Sequence, residues 1–271
     1  MRNLTRLRSP LPGGQAQSNF YAAAGQGVTP DAAEGGSRMS PALQGEPLKV
    51  FSTLATQAAL PAIVGRFTDA TGVDVAAEFA PTTALMARIA AGDVPDLAIL
   101  TAEAIERLDK EGRLAKVAAV AISHVGIAVK AGAAKPDISS VAALRDALVG
   151  ARSIAYSRIG ASGLFFADLI RRLGIEDDIR AKATIIPGGF TAELAADGRV
   201  EIAVQQISEL LLVPGIEVVG PMPDELGSAS VFSAGAFAGP LRAEAERLLA
   251  ELVSPAAHSD LIRSGLEPVA P

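Results

Sequence analysis

The chain has 271 residues, enough for two modest domains or one large one, and 49% of them are hydrophobic, so a sizeable core is available. With 24 Lys+Arg against 30 Asp+Glu, the net charge of −6 argues against a nucleic-acid binder, which needs a concentrated basic face. The lack of cysteine excludes disulfides, thiolate metal sites and thiol catalysis, and with no Trp and 4% aromatics the core falls to Ala, Val, Leu and Ile.

Residues 1–46 are rich in Gly, Pro and Ser and show no sustained period, so they read as a disordered leader or tag, with Met39 as an internal start. Arg2, Arg6 and Arg8 are followed by Pro10, Pro12, Gly13 and Gly14, where a signal peptide would carry its apolar segment. No signal peptide of ordinary form is therefore visible. Nor does any run reach the roughly 18 apolar residues of a membrane span. The most apolar stretch, residues 114–129, is interrupted by Lys116 and His124, so direct membrane insertion is not expected.

From Leu48 onward, short apolar strands alternate with amphipathic helices. Leu48–Phe51 reads as a strand; Leu60, Ile63, Val64 and Phe67 then recur at helical spacing up to Gly72. A strand at Val73–Phe79, a helix through Leu85 and Ile89, a turn at Asp93–Asp96 and a strand at Leu97–Leu100 follow. Thr101 stands at an N-cap position before a helix over Ala102–Glu111. Three successive βα units predict a parallel sheet covered by helices.

A second series repeats that order without repeating the sequence. Strands are expected at Val125–Val129, Ser153–Tyr156, Thr184–Ile186 and Ile202–Val204, with helices at Val141–Leu148, Ser162–Leu173 and from Phe190 to about Ala196. Val231–Ala238 reads as a late strand and Leu241–Val253 as a helix. The expected fold class is α/β, built as two α/β lobes.

In open α/β sheets, ligands bind outside the carboxyl ends of strands, where helix N-termini point their free N–H groups. The loops at those positions read Ser52-Thr-Leu-Ala-Thr56, Ala80-Pro-Thr-Thr83, Ser157-Arg-Ile-Gly-Ala-Ser-Gly163, Pro187-Gly-Gly-Phe-Thr191 and Gln205-Gln-Ile-Ser208. They hold hydroxyls, amides and glycines, with Arg158 as the obvious cation. Such a set suits a small anion held by neutral donors and helix dipoles. Each hydroxyl also has an ordinary reading as an N-cap; the recurrence over several loops is what points to a ligand.

Other chemistries lack their signatures. There is no P-loop and no dinucleotide fingerprint. Gly160-Ala-Ser-Gly163 falls one residue short of a nucleophile elbow, because Leu164 stands where the second glycine belongs. His124 and His258 lie far apart with no acidic neighbours at ligand spacing, so no metal site and no cofactor are expected. The residues before Leu48 lack the paired helices and basic face of a helix-turn-helix, which ranks a transcriptional sensor last.

Leu48-Lys-Val-Phe51, Ala80-Pro-Thr-Thr-Ala-Leu85, Asp93-Val-Pro-Asp-Leu97, Gly160-Ala-Ser-Gly163 and Gln205-Gln-Ile-Ser-Glu209 resemble a periplasmic solute-binding protein of the molybdate-binding type over residues 48–269. The resemblance implies two lobes joined by two crossover strands, a type II periplasmic-binding-protein-like fold. Lobe one would be residues 47–123 plus 232–271 and lobe two residues 124–231, with crossovers at His124–Lys130 and Val231–Gly239. It implies a periplasmic location, against which the missing signal peptide sets a cytoplasmic one.

The ligand positions implied by the resemblance are Thr53, Thr56, Thr82, Thr83, Arg158, Ala161, Ser162 and Gln205. Ala55 stands where molybdate binders carry a first-loop Ser, and Gln205 where they carry a Tyr; both changes count against molybdate itself. The PTTAL, GASG, PGGF and QQISELL stretches are similar to a branch that includes aconitate isomerases, which move a proton along an allylic system. Two functions follow. The first is capture of a small oxyanion or carboxylate for an ABC transporter; the alternative is isomerisation of an unsaturated tricarboxylate. The second needs a base. Glu209 and His124 are the candidates, each with an ordinary structural reading beside it.

Overall fold

In the computed structural model, residues 46–269 are described, so all but the last residue of the expected leader lies outside them. The first half-sheet is built from β1 (Leu48–Ser52), β2 (Val75–Phe79) and β3 (Leu97–Thr101), with helices α1 (Leu60–Thr71), α2 (Thr82–Ala90) and α3 (Ala102–Lys110) between and after them. β1 pairs in parallel with β2 and β3, as βαβ connections require. Leu97 to Leu100 are all buried because both faces of this sheet are covered. On one face, Leu60, Ile63 and Phe67 of α1 pack with Val50 and Ile99; on the other, Leu85, Ile89, Ile105 and Leu108 pack with Phe51 and Leu100.

β4 (Leu114–Lys130) then runs 17 residues and carries the chain between lobes. Its Leu114–His124 half pairs antiparallel with β9 (Ala229–Phe237), and its Val125–Lys130 half pairs with strands of the second lobe. That lobe comprises α4 (Val141–Gly150), β5 (Ile154–Ser157), α5 (Ala161–Arg172), α6 (Glu176–Arg180), β6 (Ala183–Ile186), α7 (Thr191–Ala196), β7 (Ile202–Gln206), α8 (Ile207–Leu210) and β8 (Ile216–Pro221). β5 lies parallel to β6 and β7, while β7 and β8 pair antiparallel with β4. Leu144, Phe166, Leu169 and Ile179 cover one face of this sheet; Ala192, Ala195 and Leu210 cover the other.

The chain returns to lobe one, where β9 pairs antiparallel with β3, and ends in α9 (Arg242–Leu252), α10 (Pro255–Arg263) and β10 (Glu267–Pro268). The α/β fold and its two lobes are as the sequence implied. Three details differ. The strand expected at Val125–Val129 begins at Leu114, its alternation hidden by register shifts between Leu114 and Lys116 and between Ala119 and Ala121. β8 escaped the sequence reading because it is only half buried along its length and gives no inside–outside period. The second crossing falls in residues 222–228, ahead of Val231–Gly239, because β9 is paired on both sides within lobe one. Among the described residues, no helix is long and apolar enough to cross a membrane.

Candidate functional site

The carboxyl ends of β1, β2, β5, β6 and β7 converge where the lobes face each other, so the residues at and after those ends line a cleft. Lobe one contributes Thr53, Leu54, Pro81, Thr82 and Phe232 to its wall. Lobe two contributes Ser157, Gly160, Ala161, Gly188, Gly189, Gln205 and Glu209. The enclosed space is about 20 Å³, little more than the roughly 10–15 Å³ that one water needs. The lobes therefore stand closed, and the Thr83 hydroxyl of lobe one donates to the Ile159 carbonyl of lobe two at 3.0 Å.

Hydroxyls inside and outside the cleft are used differently. Far from it, Ser140 and Ser254 cap α4 and α10 by accepting from the backbone N–H groups of Ala143 and Ala257. In the cleft, Thr53 precedes the short 3-10 turn Leu54–Thr56 without a side-chain capping bond, and Pro81 rather than a hydroxyl residue precedes α2. Thr82, the first residue of α2, accepts weakly from the Thr101 N–H at 3.4 Å. Thr56 is buried and spent locally, bonding to Ser52 and to the Thr53 carbonyl.

Glu209 is the ionisable residue in the cavity wall. It sits in the single turn of α8, only 7% exposed, with Gln205 beside it. Burial in this poorly hydrated space raises its carboxyl from the usual 4.5 to about 7, against a smaller opposing pull from the Gln205 side chain. No Lys, Arg or His is among the described residues that line the cavity. Anion binding here would thus rest on neutral donors and helix termini.

Gln205 also shapes the floor. Its Oε1 accepts from both the N–H and the hydroxyl of Thr191, at 2.8 and 2.9 Å, and its Nε2 donates to the Gly189 carbonyl at 3.0 Å. These three bonds hold the Pro187–Phe190 turn, in which Gly189 has φ of 89°, so that glycine backbone forms the wall.

Of the ligand positions expected from the sequence, Thr53, Thr82, Ala161 and Gln205 line the cavity together with Glu209. Thr83 spans the two lobes, Thr56 lies behind Thr53, and Ser162 is buried in the first turn of α5. Arg158 is exposed between two lining residues and does not itself line the space. His124 stands where β4 changes partners, its Nε2 3.1 Å from Glu267, away from the cavity wall. Ser157, Gly188, Gly189 and Phe232 line the cleft without having been singled out from the sequence. Ser157 ends β5 as Ser52 ends β1, a positional signal that the sequence does carry.

Residues 48–267 match the model of a bacterial extracellular solute-binding protein family. The chain belongs to that family. It is 31% identical over 242 residues to an aconitate isomerase from a Pseudomonas species, an alignment that covers 85% of this chain and 92% of that protein. Among solved structures, the fold is similar to the periplasmic molybdate-binding protein of Azotobacter vinelandii, with a TM-score of 0.68, 20% identity and coverage of 83% of this chain and 99% of that one. It is also similar to a tungstate-binding protein from Desulfovibrio alaskensis, with a TM-score of 0.60, 17% identity and coverage of 83% and 100%. These structural likenesses establish a type II periplasmic binding fold.

Proposed function

We propose that this member of the solute-binding family is an isomerase of an unsaturated tricarboxylate, aconitate, with Glu209 as the group that carries the proton. The observation that carries this reading is a lone buried carboxyl, raised to about 7, in a cleft otherwise lined by neutral donors. An ionised carboxylate in the wall would repel the fully deprotonated oxyanion that a molybdate-type receptor captures. A proton-transfer enzyme needs a group near neutrality that can both take and return a proton. The 31% identity to an aconitate isomerase over most of both chains supports the same reading.

The chemistry balances within the site. Ionised Glu209 takes a proton from the methylene carbon next to the double bond, and the C–H electron pair spreads over the allylic carbons into an adjacent carboxylate. The Glu209 acid then returns the proton to the former vinylic carbon. The double bond has moved, and its new geometry follows from the rotamer in which the deprotonated carboxymethyl arm is held. Negative charge that builds on the substrate carboxylates would be met by preorganised donors: the N-terminal N–H groups of α5 at Ala161, the Gly188–Gly189 turn, and the Thr53 and Thr82 hydroxyls. The closed space is too small for a tricarboxylate, so the lobes must part to admit it and then close on it.

The test is proton NMR of cis- and trans-aconitate with the protein in D₂O. Interconversion supports the proposal; stable isomers under saturation overturn it. Line broadening without conversion would favour the second reading, which rests on family membership: a receptor that closes on a small carboxylate and delivers it to an ABC transporter.

A further inference from the structure

Six side-chain polar atoms among the described residues are buried without a hydrogen-bond partner: Gln57 Oε1, Arg66 Nη2, His124 Nδ1, Ser157 Oγ, Ser228 Oγ and His258 Nε2. Ser157 alone of these residues lines the cleft cavity. It is 4% exposed and closes β5, with its backbone fixed by parallel pairing to Ile186. A buried hydroxyl with nothing to bond is costly, and alanine in its place would remove that cost. No group of the protein supplies that partner, and the cleft it lines is where a ligand or a water can.

The loop that follows is built around this hydroxyl. A Cβ on Gly160 would come within 2.6 Å of Ser157 Oγ, and one on Gly163 within 2.5 Å of it and 1.8 Å of the Ser157 carbonyl. Both positions require glycine because the first turn of α5 folds directly over Ser157. The same fold brings the Ala161 end of the helix, with its free N–H groups, to the cavity wall beside the hydroxyl. Hydroxyl and helix terminus are both donors, and their natural shared acceptor is a carboxylate.

We propose that Ser157 Oγ donates a hydrogen bond to one carboxylate of the substrate and is a specificity-determining residue of the cleft. The inference rests on the isomerase reading for its substrate, but not on the identity of the base. A hydroxyl with no protein partner, satisfied by the incoming carboxylate, penalises any ligand that displaces water from it without offering an acceptor, because such a ligand leaves the hydroxyl unpaired.

The experiment is isothermal titration of trans-aconitate, and of an unsaturated dicarboxylate lacking one of its carboxylates, into the wild type and Ser157→Ala, with thermal unfolding of both proteins. The expected result is a Kd for trans-aconitate raised about 10- to 100-fold in the variant. Discrimination between the two ligands should shrink by the same factor, with the unfolding midpoint unchanged or higher. Equal affinity for trans-aconitate in wild type and variant overturns the proposal and leaves the isomerase reading intact. A variant that fails to fold, or melts lower with affinity retained, assigns the hydroxyl to holding the 157–163 loop and overturns it as well. Wild type that neither binds nor converts aconitate instead removes the isomerase reading itself.

Discussion

The two lobes are alike in architecture and unlike in how they treat their polar groups at the cleft. In lobe one, Ser52 and Thr56 satisfy each other, Thr82 is engaged by the Thr101 N–H, and Thr83 reaches across to Ile159. In lobe two, Ser157 is left unpaired, Glu209 is buried among neutral groups, and Gln205 is committed to holding a glycine turn open to the cavity. In the proposed reaction lobe two carries the proton, while lobe one closes the site and adds the Thr53 and Thr82 hydroxyls. A fold whose halves arise from the same βαβ pattern can divide labour this way because the loops after its strands are free to differ.

The sharpest way to break this comparison is to remove the carboxyl without changing its shape. Glu209→Gln should lower the isomerisation rate by on the order of 10²–10⁴-fold, with KM changed far less, in steady-state assays of both isomers. Activity that persists would move the base to another group, with the partly buried His124 of β4 next in line.

The same carboxyl makes stability depend on pH, and its sign is fixed. The native group titrates near 7 and the unfolded one near 4.5, so between those values the native state binds more protons. Its protonated form is favoured by folding at low pH, and stability from this group falls as pH rises from about 4.5 to 7. The full change is about 3 kcal/mol. Chemical denaturation at several pH values should show that slope in the wild type, and Glu209→Gln should flatten it. A wild type whose stability rises through this window by as much would contradict the burial of Glu209.

Gly163→Ala probes lobe two from its backbone. The new methyl would fall 1.8 Å from the Ser157 carbonyl, in a region where strand and helix leave no room to shift. Overpacking of this kind costs about 1–3 kcal/mol, which thermal unfolding would read as a clear fall in midpoint. An unchanged midpoint would mean that the loop moves aside, and the close fit over Ser157 would lose its meaning.

Much of this was legible in the sequence, and the gaps have physical causes. Strands such as Leu97–Thr101 announce themselves as continuous apolar runs, because a sheet covered on both faces buries every residue. β8, half buried throughout, has no such pattern, and the second crossing could not be placed without knowing which sheet β9 joins. In the cleft, Thr53, Thr82 and Gln205 stand at strand ends where position alone nominates them. The importance of Glu209 was less visible. Depth decides whether a helix-face carboxylate is a solvated charge or a group raised toward neutrality, and depth comes from packing against the other lobe. For Ser157 the sequence carried the position, at the head of a candidate loop, but not the lack of a partner, which is a property of its surroundings.

The smallest expected effect tests the lobe-one half of the comparison. The Thr83–Ile159 bond joins the lobes across the mouth of the cleft, at an exposed position where water competes for both groups. Thr83→Val keeps the shape and removes the donor, so it should cost the closed arrangement no more than about 1 kcal/mol, a shift of up to several-fold in the open-to-closed ratio. Small-angle scattering without ligand should then give a larger radius of gyration, and saturating aconitate should restore the compact value, because contacts made only on closure outweigh one exposed bond. If the radius does not change, closure is held by the close packing of α8 beside the Leu54–Thr56 turn, and lobe one contributes shape rather than a latch.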